Sequence, residues 1–230
     1  MSTVAELTTI VRDITDLDSV DLPLSLIQQY MKDGFQRIIN LERRWPFLQE
    51  TYTMNTVINQ REYPISGIGS GDLREVVSMV DNSTSGNRLT LTSTDYAEAM
   101  WNGSLDIPSR PLNYTLWGDT ISLYPKPDTV YPITVRGYRK PSYTWVTNNT
   151  LEIDCDDRFH LAIAYYAISQ SYKRQEDNEM SAMYKQSFDE AVSLARREIM
   201  RPDSHRPMVL SKGSTRFSEK FWLESLGRTL

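Results

Sequence analysis

The sequence predicts an α+β protein: a helical bundle of about four helices with an inserted, mostly antiparallel β domain and an extended C-terminal arm. Three observations predict it. Apolar residues recur at helical spacing near both ends of the 230-residue chain, alternate every second position in between, and lose any long period after Pro202. The corresponding divisions are residues 1–47 for the N-terminal helices, 48–150 for the β domain, 151–201 for a helix pair completing the helical part, and 202–230 for the arm.

Val4, Leu7, Val11 and Ile14 predict a short first helix over 3–16 that runs into the acidic stretch 13–21. Leu24, Ile27, Met31, Phe35, Ile38, Leu41 and Trp45 form one stripe over 22–45, with Asp21 as its expected cap, Pro23 in its first turn and Pro46 as its stop. Gly34 inside this stripe predicts a close helix contact, because glycine is otherwise unfavourable in a helix by about 1 kcal/mol.

From Phe47 to Ile58 the chain is rich in Thr, Tyr and Val, and Asn59-Gln60 offers a turn before Arg61 to Ile65, a pattern that reads as a hairpin. After the loop of Gly67, Gly69 and Gly71, Leu73 to Val80 and Arg88 to Thr92 read as strands joined by a polar turn. Asp95 with Glu98 three residues on suggests a capping box for a short helix over 96–101. Tyr114 to Trp117 and Thr120 to Tyr124 then flank Gly118-Asp119, where glycine can take the positive φ of a II′ turn. Pro125 and Pro127 end that hairpin, and a third strand runs from Tyr131 to Tyr138 with Ile133 and Val135 on one face and Thr134 and Arg136 on the other.

Helical period returns after Asp154. A helix over 156–174 is apolar around much of its circumference and is expected to be central, and Met180, Tyr184, Phe188, Ala191 and Ala195 form one stripe of a neighbour over 178–200. The prolines at 202 and 207 end regular helix, leaving an arm with the aromatic cluster Phe217, Phe221 and Trp222.

Composition narrows function. The longest apolar stretch, 161–168, falls far short of the roughly 20 residues that span a bilayer, and the N-terminus shows no signal-peptide pattern, so no membrane association is expected. A lone Cys155 permits no internal disulfide, and with His160 and His205 makes a poor ligand inventory for a metal. The net charge of −5 argues against a binder whose affinity rests on neutralising phosphates. Residues 202–230 hold five Lys/Arg and three Asp/Glu, net +2, which leaves −7 on the rest of the chain.

No motif carries catalysis. Cys155-Asp156-Asp157-Arg158-Phe159-His160 crowds potential ligands together, but acids before a helix read as its cap. There is no G-x-S-x-G elbow, no G-x-G-x-x-G and no G-x-x-x-x-G-K-[ST], so neither an enzyme nor a cofactor is expected. Five Trp and thirteen Tyr raise a rival reading, a carbohydrate-binding or other tail-associated recognition module, for which Trp101 and Trp145 are the expected exposed rings, while Trp45 and Trp117 read as packing residues.

The run Tyr114 to Asp128, Y-x-L-x-G-D-x-I-x-L-x-P-x-P-D, followed by a strand ending at Pro141, resembles the head–tail adaptor (connector) proteins of tailed bacteriophages. The order of a helical start closing in Arg44-Trp45-Pro46-Phe47, a β-rich middle, two helices and a long tail is similar to that family as well. The resemblance implies a structural virion protein at the head–tail junction, made in the host bacterial cytoplasm. It would dock as a ring of about twelve copies beneath the portal and extend the DNA channel used in genome ejection. Its partners would be the portal, tail or nozzle proteins, and DNA that passes without specific binding. By the same resemblance the arm reaches into the portal, which makes Arg206, Lys212, Arg216, Phe217, Lys220, Phe221, Trp222 and Arg228 the expected portal-binding residues, and the hairpin tip at Gly118 and Asp119 the expected tail-facing feature.

Overall fold

A computed structural model describes residues 2–83, 86–101 and 107–200. The chain divides into two compact units, Met1–Arg196 and Arg197–Leu230. Among the described residues every strand and helix belongs to the first unit, save the last turn of the final helix.

Helix α1, Val4–Thr15, begins with a reciprocal cap: Thr3 Oγ1 accepts from the Glu6 amide at 3.3 Å and the Thr3 amide donates to Glu6 Oε2 at 3.0 Å. Helix α2, Leu24–Leu41, starts at Pro23 without a side-chain cap. Asp18, not the expected Asp21, orders its entry, accepting from the amides of Val20 at 2.7 Å and Asp21 at 2.9 Å. Those two bonds favour the ionised form and hold the Asp18 carboxyl below its ordinary range. The helix ends at Leu41, short of Trp45, because the chain turns there and Trp45 returns to donate its indole N–H to the Ile38 carbonyl at 3.1 Å.

The strands are β1 (Gln49–Asn55), β2 (Glu62–Pro64), β3 (Leu73–Asp81), β4 (Arg88–Leu91), β5 (Asn113–Trp117), β6 (Thr120–Tyr124) and β7 (Pro132–Arg139), with helix α3 (Thr94–Met100) between β4 and β5. They form a single sheet in the order β1-β7-β3-β4-β5-β6-β2. All pairs are antiparallel except β4 with β5. The sheet encloses its own apolar core, including Tyr52, Ile68, Leu73, Met79, Leu89, Tyr114, Ile121, Leu123, Ile133 and Val135.

Helix α4, His160–Arg174, packs on both α1 and α2. At the α2 contact a Cβ on Gly34 would lie 3.0 Å from Tyr166 Cδ1, so the expected close approach is real. Two aromatic groups fill the space where helices meet the connecting segments. Phe35 stands edge-on to Tyr143 at 5.5 Å and Trp145 at 5.7 Å, while Trp45 stacks on Phe47 at 5.5 Å and meets Phe159 edge-on at 5.3 Å. Arg139 at the end of β7 grips Asp154 through both guanidinium nitrogens, and the Ser142 amide donates to Asp154 Oδ2 at 2.6 Å, tying sheet to helices.

The expected fold class is corrected by this arrangement. A four-helix bundle with an inserted β domain is not shown; among the described residues five α-helices accompany a seven-stranded mixed sheet curled into a half-barrel, and the core is largely β. The helical stripe of the fifth helix, α5 (Asn178–Ile199), was the misleading signal: it buries only Phe188, Val192 and Ala195. It meets α4 through side chains, with Tyr166 on Phe188 at 5.2 Å, Tyr172 stacked on Tyr184 at 5.7 Å and Ser169 Oγ donating to the Ser181 carbonyl at 2.8 Å. The expected hairpin over 47–65 is also absent: β1 pairs with β7, through Tyr52 opposite Val135, and β2 pairs with β6, through Tyr63 opposite Ile121. Among the described residues no helix is long and apolar enough to cross a membrane.

Candidate functional site

The β5–β6 hairpin is built from alternation and one glycine. Thr115 faces Ser122 and Trp117 faces Thr120 across the pair. Of the two loop residues only Gly118 has a positive φ, +57°, the pattern of a II′ turn rather than I′. A Cβ at Gly118 would have nothing within 4 Å, while the neighbouring Asp119 carbonyl accepts from the Ile65 amide at 2.9 Å and so ties the tip to the segment after β2.

Period 2 sorts the hairpin into two chemistries. Tyr114, Ile121 and Leu123 point into the sheet core with Tyr63 of β2. Burial pushes the hydroxyls of Tyr63 and Tyr114 up from the ordinary tyrosine value, and Tyr63 Oη is held by the Val57 amide at 2.9 Å and the Gln60 carbonyl at 3.0 Å. The opposite face presents Thr115, Trp117, Thr120, Ser122 and Tyr124, with Glu62 of β2 directly across from Ser122. Helix α3 borders that face with Thr94, Asp95 and Glu98, and together these residues wall a groove.

The groove is acidic. None of Glu62, Asp95 and Glu98 forms an ion pair with a described residue. Thr115 is 1% exposed, yet its hydroxyl has no hydrogen-bond partner among the described residues. Trp117 is 74% exposed and forms one wall, while the Tyr124 ring carries Trp101 at 5.7 Å and the Arg61 guanidinium at 4.6 Å. Among the described residues no histidine, cysteine or lysine lines the groove, which offers carboxylate acceptors, hydroxyls and an aromatic face.

Gly118 and Asp119 sit at the hairpin tip, beside this groove. The eight expected arm residues, Arg206 through Arg228, lie outside the described residues. Two of the tryptophans reverse their expected roles, Trp117 being exposed and Trp145 1% exposed, because Trp145 packs against Phe35 from a distant helix and donates to the Ser142 carbonyl at 3.0 Å; Trp45 is buried as expected and Trp101 is half-buried. The segment 155–160 is a helix entry, with Asp156 Oδ1 accepting from the Arg158 amide at 3.1 Å, and burial pushes the Cys155 thiol well above its usual value. Ser93, not Asp95, caps α3, accepting from the Tyr96 amide at 3.3 Å, which frees Asp95 to face the groove. Reasoning from sequence missed Glu62, Thr115, Asp95 and Glu98 as one site. The alternation Thr115, Trp117, Thr120, Ser122 was the available signal for the outward face.

The family described as SU10 adaptor protein matches residues 2–209, nearly the whole chain. The chain belongs to the SU10 adaptor protein family. A comparison with curated proteins gives no match. The resemblance to phage head–tail adaptors is thereby upheld, and the adaptor is a structural component of the virion that associates with other virion proteins.

Proposed function

We propose that the protein docks as a ring of about twelve copies beneath the portal, continues the DNA channel toward the tail, and joins capsid to tail without catalysis of its own. The observation that carries this reading is the family match across residues 2–209. The helices of 1–47 and 151–201 contribute the ring, the strands of 48–150 project from it, and the arm 202–230 reaches into the portal. Repetition supports such an assembly: in a closed ring each weak interface is used once per copy, so a modest contact suffices once the circle is complete.

The charge distribution supports it as well. A body of net −7 repels duplex DNA and so favours passage over retention, while the +2 arm differs chemically from the body it leaves. Electron microscopy of the protein with and without its cognate portal tests the reading. A collar of about twelve copies beneath the portal is expected, and a protein that leaves the portal bare contradicts it.

A further inference from the structure

We propose that the groove between the β5–β6 hairpin and α3 is the docking site for a lysine- or arginine-bearing extended segment of a tail protein. The inference rests on the adaptor reading above and names the chemistry of its tail-side partner. Three features converge on a cationic, hydrogen-bonding occupant. Glu62, Asp95 and Glu98 come from β2 and α3 and meet at one groove without a basic partner among the described residues. Thr115 supplies the second observation, since a residue only 1% exposed keeps its hydroxyl unpaired while lining the groove, and a buried hydroxyl is normally hydrogen-bonded. Trp117 provides a broad exposed ring on which a lysine or guanidinium group can lie.

The arrangement selects against other occupants. An anionic segment meets three like charges, and a purely apolar segment leaves the carboxylates and the Thr115 hydroxyl desolvated and unpaired. An extended chain suits the shape, because the groove runs along strand residues spaced two apart, the Thr115 hydroxyl with the Trp117 ring on β5 and the hydroxyls of Thr120 and Ser122 on β6. A glycan is the competing ligand that an aromatic and hydroxyl-lined groove could hold, and it becomes an outcome of the test.

The test uses the full chain and the variant Glu62→Gln/Asp95→Asn/Glu98→Gln, whose exposed side chains leave the core untouched. A fluorescein-labelled decapeptide alternating lysine and serine is the probe, with the same peptide fully lysine-acetylated and maltoheptaose as comparators. The lysine peptide is expected to bind the wild type roughly tenfold or more tighter than the triple variant, and to lose affinity as salt rises. Trp117→Ala is expected to weaken it by several-fold as well. Equal binding by wild type and triple variant, or binding of maltoheptaose in preference to the peptide, overturns the proposal.

A second arm separates this inference from the adaptor reading. Portal-bearing heads are incubated with either protein and then with purified tails. Both proteins are expected to occupy the portal, and only the wild type to recruit tails in full. A triple variant that recruits tails as well as the wild type overturns the groove assignment and leaves the adaptor reading standing. A wild type that never occupies the portal overturns both.

Discussion

Arg110 closes on Asp81 with Nε 2.7 Å and Nη2 2.6 Å from the same carboxylate oxygen, and its Nη2 reaches Ser83 Oγ at 2.6 Å. Asp81 is almost fully buried and also accepts from the Ser83 amide at 2.8 Å. The pair fastens the end of β3 to the segment that leads into the hairpin. Asp81→Asn removes the charge and leaves the guanidinium only partly hydrated, so a loss of about 2 kcal/mol is expected, read as a fall in Tm of roughly 4–8 °C. An unchanged melt would show that the ion pair carries no net stability.

The same contact has a pH signature. Burial alone would raise the Asp81 carboxyl, but the Ser83 amide and hydroxyl and the Arg110 guanidinium outweigh it and leave the group below its ordinary range. A folded value below the unfolded one, about 3.9, means that stabilisation is complete above that pH and is lost as pH falls through the folded value. The Tm difference between wild type and Asp81→Asn is therefore expected to be constant from pH 5 to 7 and to narrow below about pH 4. A difference that persists undiminished at pH 2 would contradict the assignment.

Gly34 and Tyr166 set how closely α2 and α4 approach. A Cβ would meet three atoms of the Tyr166 side chain at 3.0–3.2 Å, so Gly34→Leu forces the helices apart at an expected cost of about 1–3 kcal/mol. For Gly34→Ala the strain is partly offset by the roughly 1 kcal/mol gain in helix propensity, so the melt shifts less. Chemical denaturation of both variants checks the order Leu worse than Ala, and the reverse order would show that the approach is not close.

Local signals made part of this fold legible and distant pairings hid the rest. The β5–β6 hairpin could be read because its glycine, its alternation and its partner strand all lie within twelve residues. Tyr52 and Tyr63 alternate as clearly, yet their partners Val135 and Ile121 lie some sixty to eighty positions away, and period 2 says nothing about which strand fills an edge. The same limit misplaced Trp117, because alternation defines two faces of a strand without saying which one is covered, whereas the turn-like neighbours of Trp145 suggest exposure although its short 3-10 turn, Thr144–Val146, packs it inward. Helical period over 178–199 likewise marked a helix correctly but could not show that its buried stripe is three residues wide. The groove was illegible as a unit because Glu62, Asp95 and Thr115 belong to β2, α3 and β5.

A chain with −7 outside its arm and no basic stripe is expected to bind duplex DNA only in the weak non-specific range, about 10⁻⁴ M or poorer at physiological salt. Fluorescence anisotropy with a labelled duplex measures this. Submicromolar, salt-sensitive binding would mean that the channel wall grips its cargo.

In the proposed function, anchorage of the body to the portal would fall to the basic, aromatic arm. Ordering about 28 residues costs roughly 1–2 kcal/mol each, more than nine apolar side chains at about 1.5–3 kcal/mol apiece can return, so the arm is expected to gain its order from a partner. The most direct measurement is portal occupancy, counted by cryo-electron microscopy, for the full chain and for a chain ending at residue 202. Full rings on the portal with the complete chain, and bare portals with the shortened one despite an unchanged thermal melt, are predicted; full occupancy by the shortened chain, or none by the complete chain, would contradict the account.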